Sequence, residues 1–134
     1  MSGPDTSSPT GPLQEAMAHH QAGDVAAAVG LYRRHLEQRP EDVAAWCLLA
    51  SAEGQAGHHP GAGEAYRRAV EIAPRHAPAH AGLGTSCLQR GDFEAAARHL
   101  RRAVELDPEQ VDARLQLAMV LRRQARLPVA QVQR

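Results

Sequence analysis

Apolar residues along this chain recur at helical rather than alternating spacing, and they do so in two kinds of segment that take turns. VAAWCLLASAEGQA (43–56), APAHAGLGTSCLQR (77–90) and VDARLQLAMVLRRQ (111–124) are apolar-periodic runs of about four helical turns each. Between and before them stand GDVAAAVGLYRRHLEQRP (23–40), GHHPGAGEAYRRAVEIAP (57–74) and GDFEAAARHLRRAVELDP (91–108), each starting 34 residues after the last. Gly23, Gly57 and Gly91 align, as do Ala28, Ala62 and Ala96, the pairs Arg33-Arg34, Arg67-Arg68 and Arg101-Arg102, and Pro40, Pro74 and Pro108. A fixed period of this length with helical patterning inside it predicts an all-α solenoid of helix–turn–helix pairs.

The punctuation has a physical sense. Proline ends the second helix of each pair because the residue before it is pushed out of the helical region, and glycine opens the turn because it tolerates the positive φ of a helix C-terminus. Asp24 and Asp92 stand where N-caps would, expected to accept bonds from the orphan amides of the second helix. Ala28, Ala62 and Ala96 are small enough for the paired helices to cross closely, and Leu49, Leu83 and Leu117 fill the space between them.

With these positions in register the chain resembles the tetratricopeptide repeat family, whose helix pairs carry Trp, Leu, a small residue, an aromatic, Ala, an aromatic, Ala and Pro at fixed places. Trp46, Leu49, Ala50, Ala62, Tyr66, Ala69 and Pro74 match in the second copy, and Leu83, Gly84, Ala96, Leu100, Ala103 and Pro108 in the third. The first keeps Ala16, Ala28, Tyr32 and Pro40 but has His35 where alanine is usual. The resemblance implies about three and a half repeats, near 9–42, 43–76, 77–110 and a partial 111–134, in a right-handed superhelical array spanning 12–134. Helical repeats of 35 residues that read RNA fit less well, because their period would put the third copy two residues out of step.

Both ends depart from the pattern. MSGPDTSSPTG (1–11) is polar and without periodicity, and is expected to be a disordered tail. At the other end Ala125-Arg126 takes the place of the Gly-Asp turn, so a second helix is expected to begin there and be cut short at Arg134. The apolar positions of LPVAQV would then need cover from another chain or from further sequence of a longer protein.

Composition narrows the function. The 134 residues carry no net charge and only 3% aromatics, and all fifteen basic residues are arginine, with no lysine and no asparagine, as GC-rich bacterial genomes tend to encode. Two cysteines make no disulfide framework, and the absence of an apolar leader or long apolar run points to a cytoplasmic protein without a membrane span. Glu37, Glu71 and Glu105 lie four residues after Arg33, Arg67 and Arg101, and Glu64–Arg68 and Glu94–Arg98 repeat the spacing. Such i,i+4 pairs are expected to neutralise the arginine stripe, which with few stacking residues argues against nucleic acid as a partner.

No catalytic, cofactor or metal site is expected. His58-His59 are adjacent, so they point in different directions, and His58 holds the N-cap place of Asp24 and Asp92; the pair reads as a turn. Gly61 and Gly63 should each weaken the helix that follows by about 1 kcal/mol relative to alanine. His76 and His80 are separated by the helix start that Pro78 marks, and His19-His20 closes a helix. AGLGTS (81–86) lies mid-helix, unlike a phosphate-binding loop, and Cys47 and Cys87 occupy different repeat positions without partners for nucleophilic catalysis.

The resemblance implies instead a groove lined by the first helices of successive repeats that holds a protein's extended or helical segment. By register its lining is Leu13, Met17, Cys47, Leu48, Ser51 and Gln55, then Ala81, Thr85, Leu88 and Gln89, and finally Leu115, Met119, Arg122 and Arg123. The two arginines would receive a carboxylate or acidic residue. One subclass of the family clamps the C-terminal carboxylate of heat-shock chaperones with lysine, asparagine and arginine; Leu13, Met17, Leu48, Pro78 and Gly82 stand in those places here, so that ligand is disfavoured. Two competing expectations are packing of these side chains against neighbouring repeats or the rest of a longer chain, and a role as the N-terminal repeat arm of a sulfotransferase or glycosyltransferase; self-association or a downstream domain is the expected cover for the C-terminal repeat.

Overall fold

The computed structural model describes residues 11–132, with side chains as far as residue 125. The tail expected over 1–11 therefore lies outside the described residues except for Gly11. Among the described residues there are seven α-helices and no strand: α1 (Pro12–Gln21), α2 (Val25–Gln38), α3 (Val43–Gln55), α4 (His59–Ile72), α5 (Ala77–Gln89), α6 (Phe93–Leu106) and α7 (Val111–Val132). They fall into two compact units, Met1–Ala65 and Tyr66–Arg134, whose boundary lies within α4.

The predicted turns form as drawn. Gly23, Gly57 and Gly91 have φ of 89°, 87° and 79°. In each case the amide after the glycine bonds back across the turn, from Asp24 to the His19 carbonyl (2.8 Å), from His58 to Glu53 (2.8 Å) and from Asp92 to Cys87 (2.9 Å). This is the closure in which a left-handed glycine lets the chain satisfy carbonyls the ending helix leaves open. An alanine at any of the three would be strained by its φ alone.

The caps differ from expectation at one place. The Asp92 carboxylate accepts from the Ala95 amide at 3.2 Å, but Asp24 makes no side-chain cap; its carboxylate lies 3.3 Å from His19 Nδ1 instead. A cap unforeseen from sequence is Asp42, which accepts from the Ala45 amide (3.2 Å) and from His35 Nε2 (2.8 Å). Burial pushes the Asp42 carboxyl up, yet the bonds from His35 and Ala45 and the charges of His35 and Arg39 outweigh it and leave the group below its ordinary value. His35, the residue that departs from the family's alanine, is thus tied to the start of α3.

The cores are built largely from alanine. In the first unit Ala16, Ala28, Tyr32, Ala45, Ala50 and Ala52 are wholly buried, with Leu36 and Leu49 beside them. In the second Ala96, Leu100 and Ala103 are wholly buried, and Cys87, Ala97, Ala113 and Val120 join them in one cluster with Leu117 packed against it. Because each alanine withdraws little apolar area from water, backbones must approach closely. Gly84 shows how closely: a Cβ there would sit 2.6 Å from Leu100 Cγ, and one on Gly82 would sit 2.2 Å from the Tyr66 ring.

The expected turn at Ala125-Arg126 does not occur. Helix α7 runs without a break to Val132, because no glycine supplies the left-handed residue that closes the other first helices and both residues favour helix.

Candidate functional site

The residues that register places on the first helices are all accessible to some degree. In the first unit Leu13, Met17, Cys47, Leu48 and Ser51 are half-buried and Gln55 is exposed. His20 ties this face to the core: its Nε2 donates to Gln55 Oε1 at 3.1 Å, leaving Nδ1, 2.9 Å from the Tyr32 hydroxyl, to accept. Burial raises the Tyr32 pKa and so keeps that hydroxyl a donor.

In the second unit Ala81, Thr85 and Leu88 are half-buried on α5 and Gln89 is exposed. Thr85 Oγ1 lies 2.8 Å from Gln116 Oε1, which joins α5 to α7, and 3.1 Å from the Ala81 carbonyl. Beside this bond is a cleft of about 340 Å³ lined by Tyr66, Pro78, Ala81, Gly82, Thr85, Val111 and Gln116 among others. Along α7, Val111, Leu115 and Met119 leave 60%, 58% and 63% of their surface to solvent, at i, i+4 and i+8 on one face. Arg122 continues that face, whereas Arg123 lies over the Phe93 ring at 4.7 Å from its centroid.

The other candidate chemistry resolves into structural pairs. Burial pushes the Cys47 thiol up to about 11 and also raises that of Cys87, so neither is a thiolate nucleophile at neutral pH. His58 precedes the first residue of α4, in the turn expected of it, but it has a partner that sequence reading passed over. Its Nδ1 is 3.0 Å from Glu53 Oε1, and the second oxygen of that buried carboxylate pairs with Arg33. Glu53 stands where the family has the first of its two aromatics. The signal was present: a glutamate among Leu49, Ala50 and Ala52 on an apolar helix face. A Cβ on Gly61 would press to 3.1 Å from that carboxylate, so this glycine makes room for a charge.

The arginine pairing also departs from expectation. Arg33 pairs with Glu53, while Arg68–Glu71 (3.1 Å) and Arg102–Glu105 (3.4 Å) are i,i+3 pairs. The i,i+4 contacts Arg33–Glu37, Arg101–Glu105 and Glu94–Arg98 are not among the ion pairs of the described residues.

A further rule unites the repeats. Trp46 Nε1 donates to the Pro40 carbonyl (2.8 Å), His80 Nε2 to Pro74 (2.8 Å) and Arg114 Nη1 to Pro108 (3.4 Å). Three side chains of different kinds, all at one repeat position, satisfy the same carbonyl.

The family model for the tetratricopeptide repeat matches residues 13–77 and 82–132. The chain belongs to the tetratricopeptide repeat family. No curated protein matches it. Among solved structures, the tetratricopeptide domain of Sgt2 from Aspergillus fumigatus superposes with a TM-score of 0.83 at 20% identity, over 94% of this chain and 87% of that one. The first tetratricopeptide domain of Spaghetti (RPAP3), solved with the HSP90 peptide SRMEEVD, gives 0.82 at 18% identity, over 85% of this chain and 90% of that one. An O-GlcNAc transferase from Thermobaculum terrenum gives 0.75 at 31% identity over 82% of this chain, which spans only 21% of that enzyme. Within this tetratricopeptide protein no described helix is long and apolar enough to cross a membrane, and no three His, Cys, Asp or Glu among the described residues are grouped to hold a metal ion.

Proposed function

We propose that this tetratricopeptide domain is a protein-interaction module that holds a peptide or helix of a partner against the first-helix faces of its repeats. The observation that carries this reading is the stripe of Val111, Leu115 and Met119 on α7, three large apolar side chains left more than half exposed on one face. Isolated exposed apolar residues are ordinary, but three at helical spacing form a strip that association would cover. Beside it the Thr85–Gln116 bond offers polar groups for a peptide backbone, and Arg122 offers a guanidinium for a carboxylate. Met17, Leu48 and Ser51 supply the corresponding face in the first unit. The arginine-only basic set fits a bacterial source, and the absence of a spanning helix among the described residues is compatible with a cytoplasmic setting. A role as an enzyme's repeat arm is not favoured, since the likeness to the O-GlcNAc transferase covers only 21% of that enzyme.

The test is affinity capture from a host lysate with the wild-type chain and with Leu88→Glu and Met119→Glu, checked for unchanged helix content by circular dichroism. Proteins captured by the wild type should be lost by both variants. An unchanged capture list would sink the assignment of this face.

A further inference from the structure

The second unit carries another cleft, of about 450 Å³, lined by His80 at the start of α5 and by Arg98, His99, Arg101, Arg102 and Glu105 of α6. Three guanidiniums and two imidazoles face one carboxylate there. Glu105 shares its charge with Arg102, while neither Arg98 nor Arg101 forms an ion pair with another described residue. In a chain of no net charge this is a local excess of positive charge.

His80 gives the excess a direction. The side chain is 8% exposed, and its Nε2 must carry a proton because it donates to the Pro74 carbonyl. Its Nδ1 is buried and has no hydrogen-bond partner among the described residues. A buried polar atom without a partner is costly, and its persistence points to a ligand or water. The His99 ring lies 6.2 Å away. Its pKa is held below the ordinary value by burial first, then by the charges of Arg98 and His80, with Asp92 opposing.

From this cleft we infer that the tetratricopeptide domain binds a phosphate monoester or free phosphate, with Arg98 and Arg101 on the oxygens and His80 Nδ1 in a hydrogen bond to the phosphoryl group. The protons decide between oxyanions. With Nε2 already donating, a neutral His80 can only accept at Nδ1. A phosphoryl group near its second ionisation, about pH 6, can arrive as the monoanion and donate its O–H to Nδ1. Sulfate and carboxylates are fully ionised at that pH and have no proton to donate.

The ring resonances of His80 and His99 report binding directly. The full chain is titrated at pH 6.5 in 150 mM NaCl with inorganic phosphate, with a short phosphoserine peptide and with sulfate, against the variant Arg98→Glu/His99→Ala, which installs the residues of the equivalent positions Glu64 and Ala65. Phosphate should shift His80 saturably while His20 and His58 stay put, the variant should bind at least tenfold more weakly, and sulfate should bind several-fold more weakly. Tighter binding of the peptide than of phosphate identifies a phosphorylated partner as the source, and equal binding the free anion. Absence of a saturable shift, retention of it in a variant with wild-type helix content, or equal binding of sulfate overturns the inference.

Discussion

Each unit carries a cleft, and at the three repeat positions that the two clefts share the lining has opposite chemistry. In the first unit a cleft of about 380 Å³ has Trp46, Leu36, Leu49 and Ala65 as apolar wall, with Glu37, Glu53 and Glu64 against Arg33. Moving 34 residues along, Trp46 becomes His80, Glu64 becomes Arg98 and Ala65 becomes His99. The backbone bond survives, since both Trp46 and His80 donate to a proline carbonyl, but an indole filling space has given way to an imidazole with a spare nitrogen. From the second repeat on, this position supplies an N–H donor through three different side chains, so the rest of the side chain is open to other use.

The sharpest way to break the comparison is to remove both donors. Trp46→Ala and His80→Ala each orphan a proline carbonyl, but only the first also strips a large apolar wall from its unit. Trp46→Ala should cost about 2–4 kcal/mol, at the lower part of the range for buried aromatics because Trp46 is only half-buried. His80→Ala should cost about 1 kcal/mol, since the lost bond is offset by removal of an unpartnered buried nitrogen. Denaturant unfolding of the two variants measures the difference, and equal losses would mean that the carbonyl bond alone governs both sites.

A second comparison concerns the turns. In the first repeat His19 pairs with Asp24; in the second the same two positions hold Glu53 and His58, acid and imidazole exchanged. His58 is therefore the complement of a buried glutamate rather than a degraded cap. From sequence alone, His58→Asp should improve α4 by restoring the N-cap acid of its siblings. The structure forecasts the reverse, a loss of about 1–2 kcal/mol, because a second carboxylate would face Glu53 at hydrogen-bond range. The double change Glu53→His/His58→Asp rebuilds the pair of the first repeat but gives up the Arg33 contact of Glu53, so it should recover only part of that loss in thermal unfolding.

These cases mark what could be read in advance. The alternation of helices as far as α6, the glycine turns, the proline stops and the close-packing alanines follow from backbone conformation and size, which act within one repeat and recur every 34 residues, whereas the extra helix expected after Ala125-Arg126 is absorbed into α7. His35 and Glu53 were harder to read because each is explained by a partner that another helix or turn brings to it, and His80 because three chemically different side chains make the same bond at its repeat position. The same blindness predicted i,i+4 arginine pairs where Arg33 reaches instead to another helix. The proposed groove lining occupies a middle position: its members lie on accessible faces, but binding by any of them depends on a partner and leaves no mark on the repeat.

The smallest effect is also the most direct probe of the contrast. Arg98 holds the His99 pKa down, after burial, and the first unit has Glu64 in its place. Arg98→Glu removes one positive charge and adds a negative one, so the His99 pKa should rise towards the ordinary histidine value. Stability reports the same change. With its folded pKa depressed, His99 takes up a proton more readily in the unfolded chain, so its contribution is full above about pH 6.5 and is lost as pH falls through the unfolded value towards the folded one. The variant should therefore lose less stability than the wild type between pH 7.5 and 5.5, by some tenths of a kcal/mol given the solvent screening of a half-buried ring. Parallel pH profiles, together with an unmoved His99 titration by NMR, would show that burial alone sets this pKa and that the arginines of the cleft do not act on the imidazole they surround.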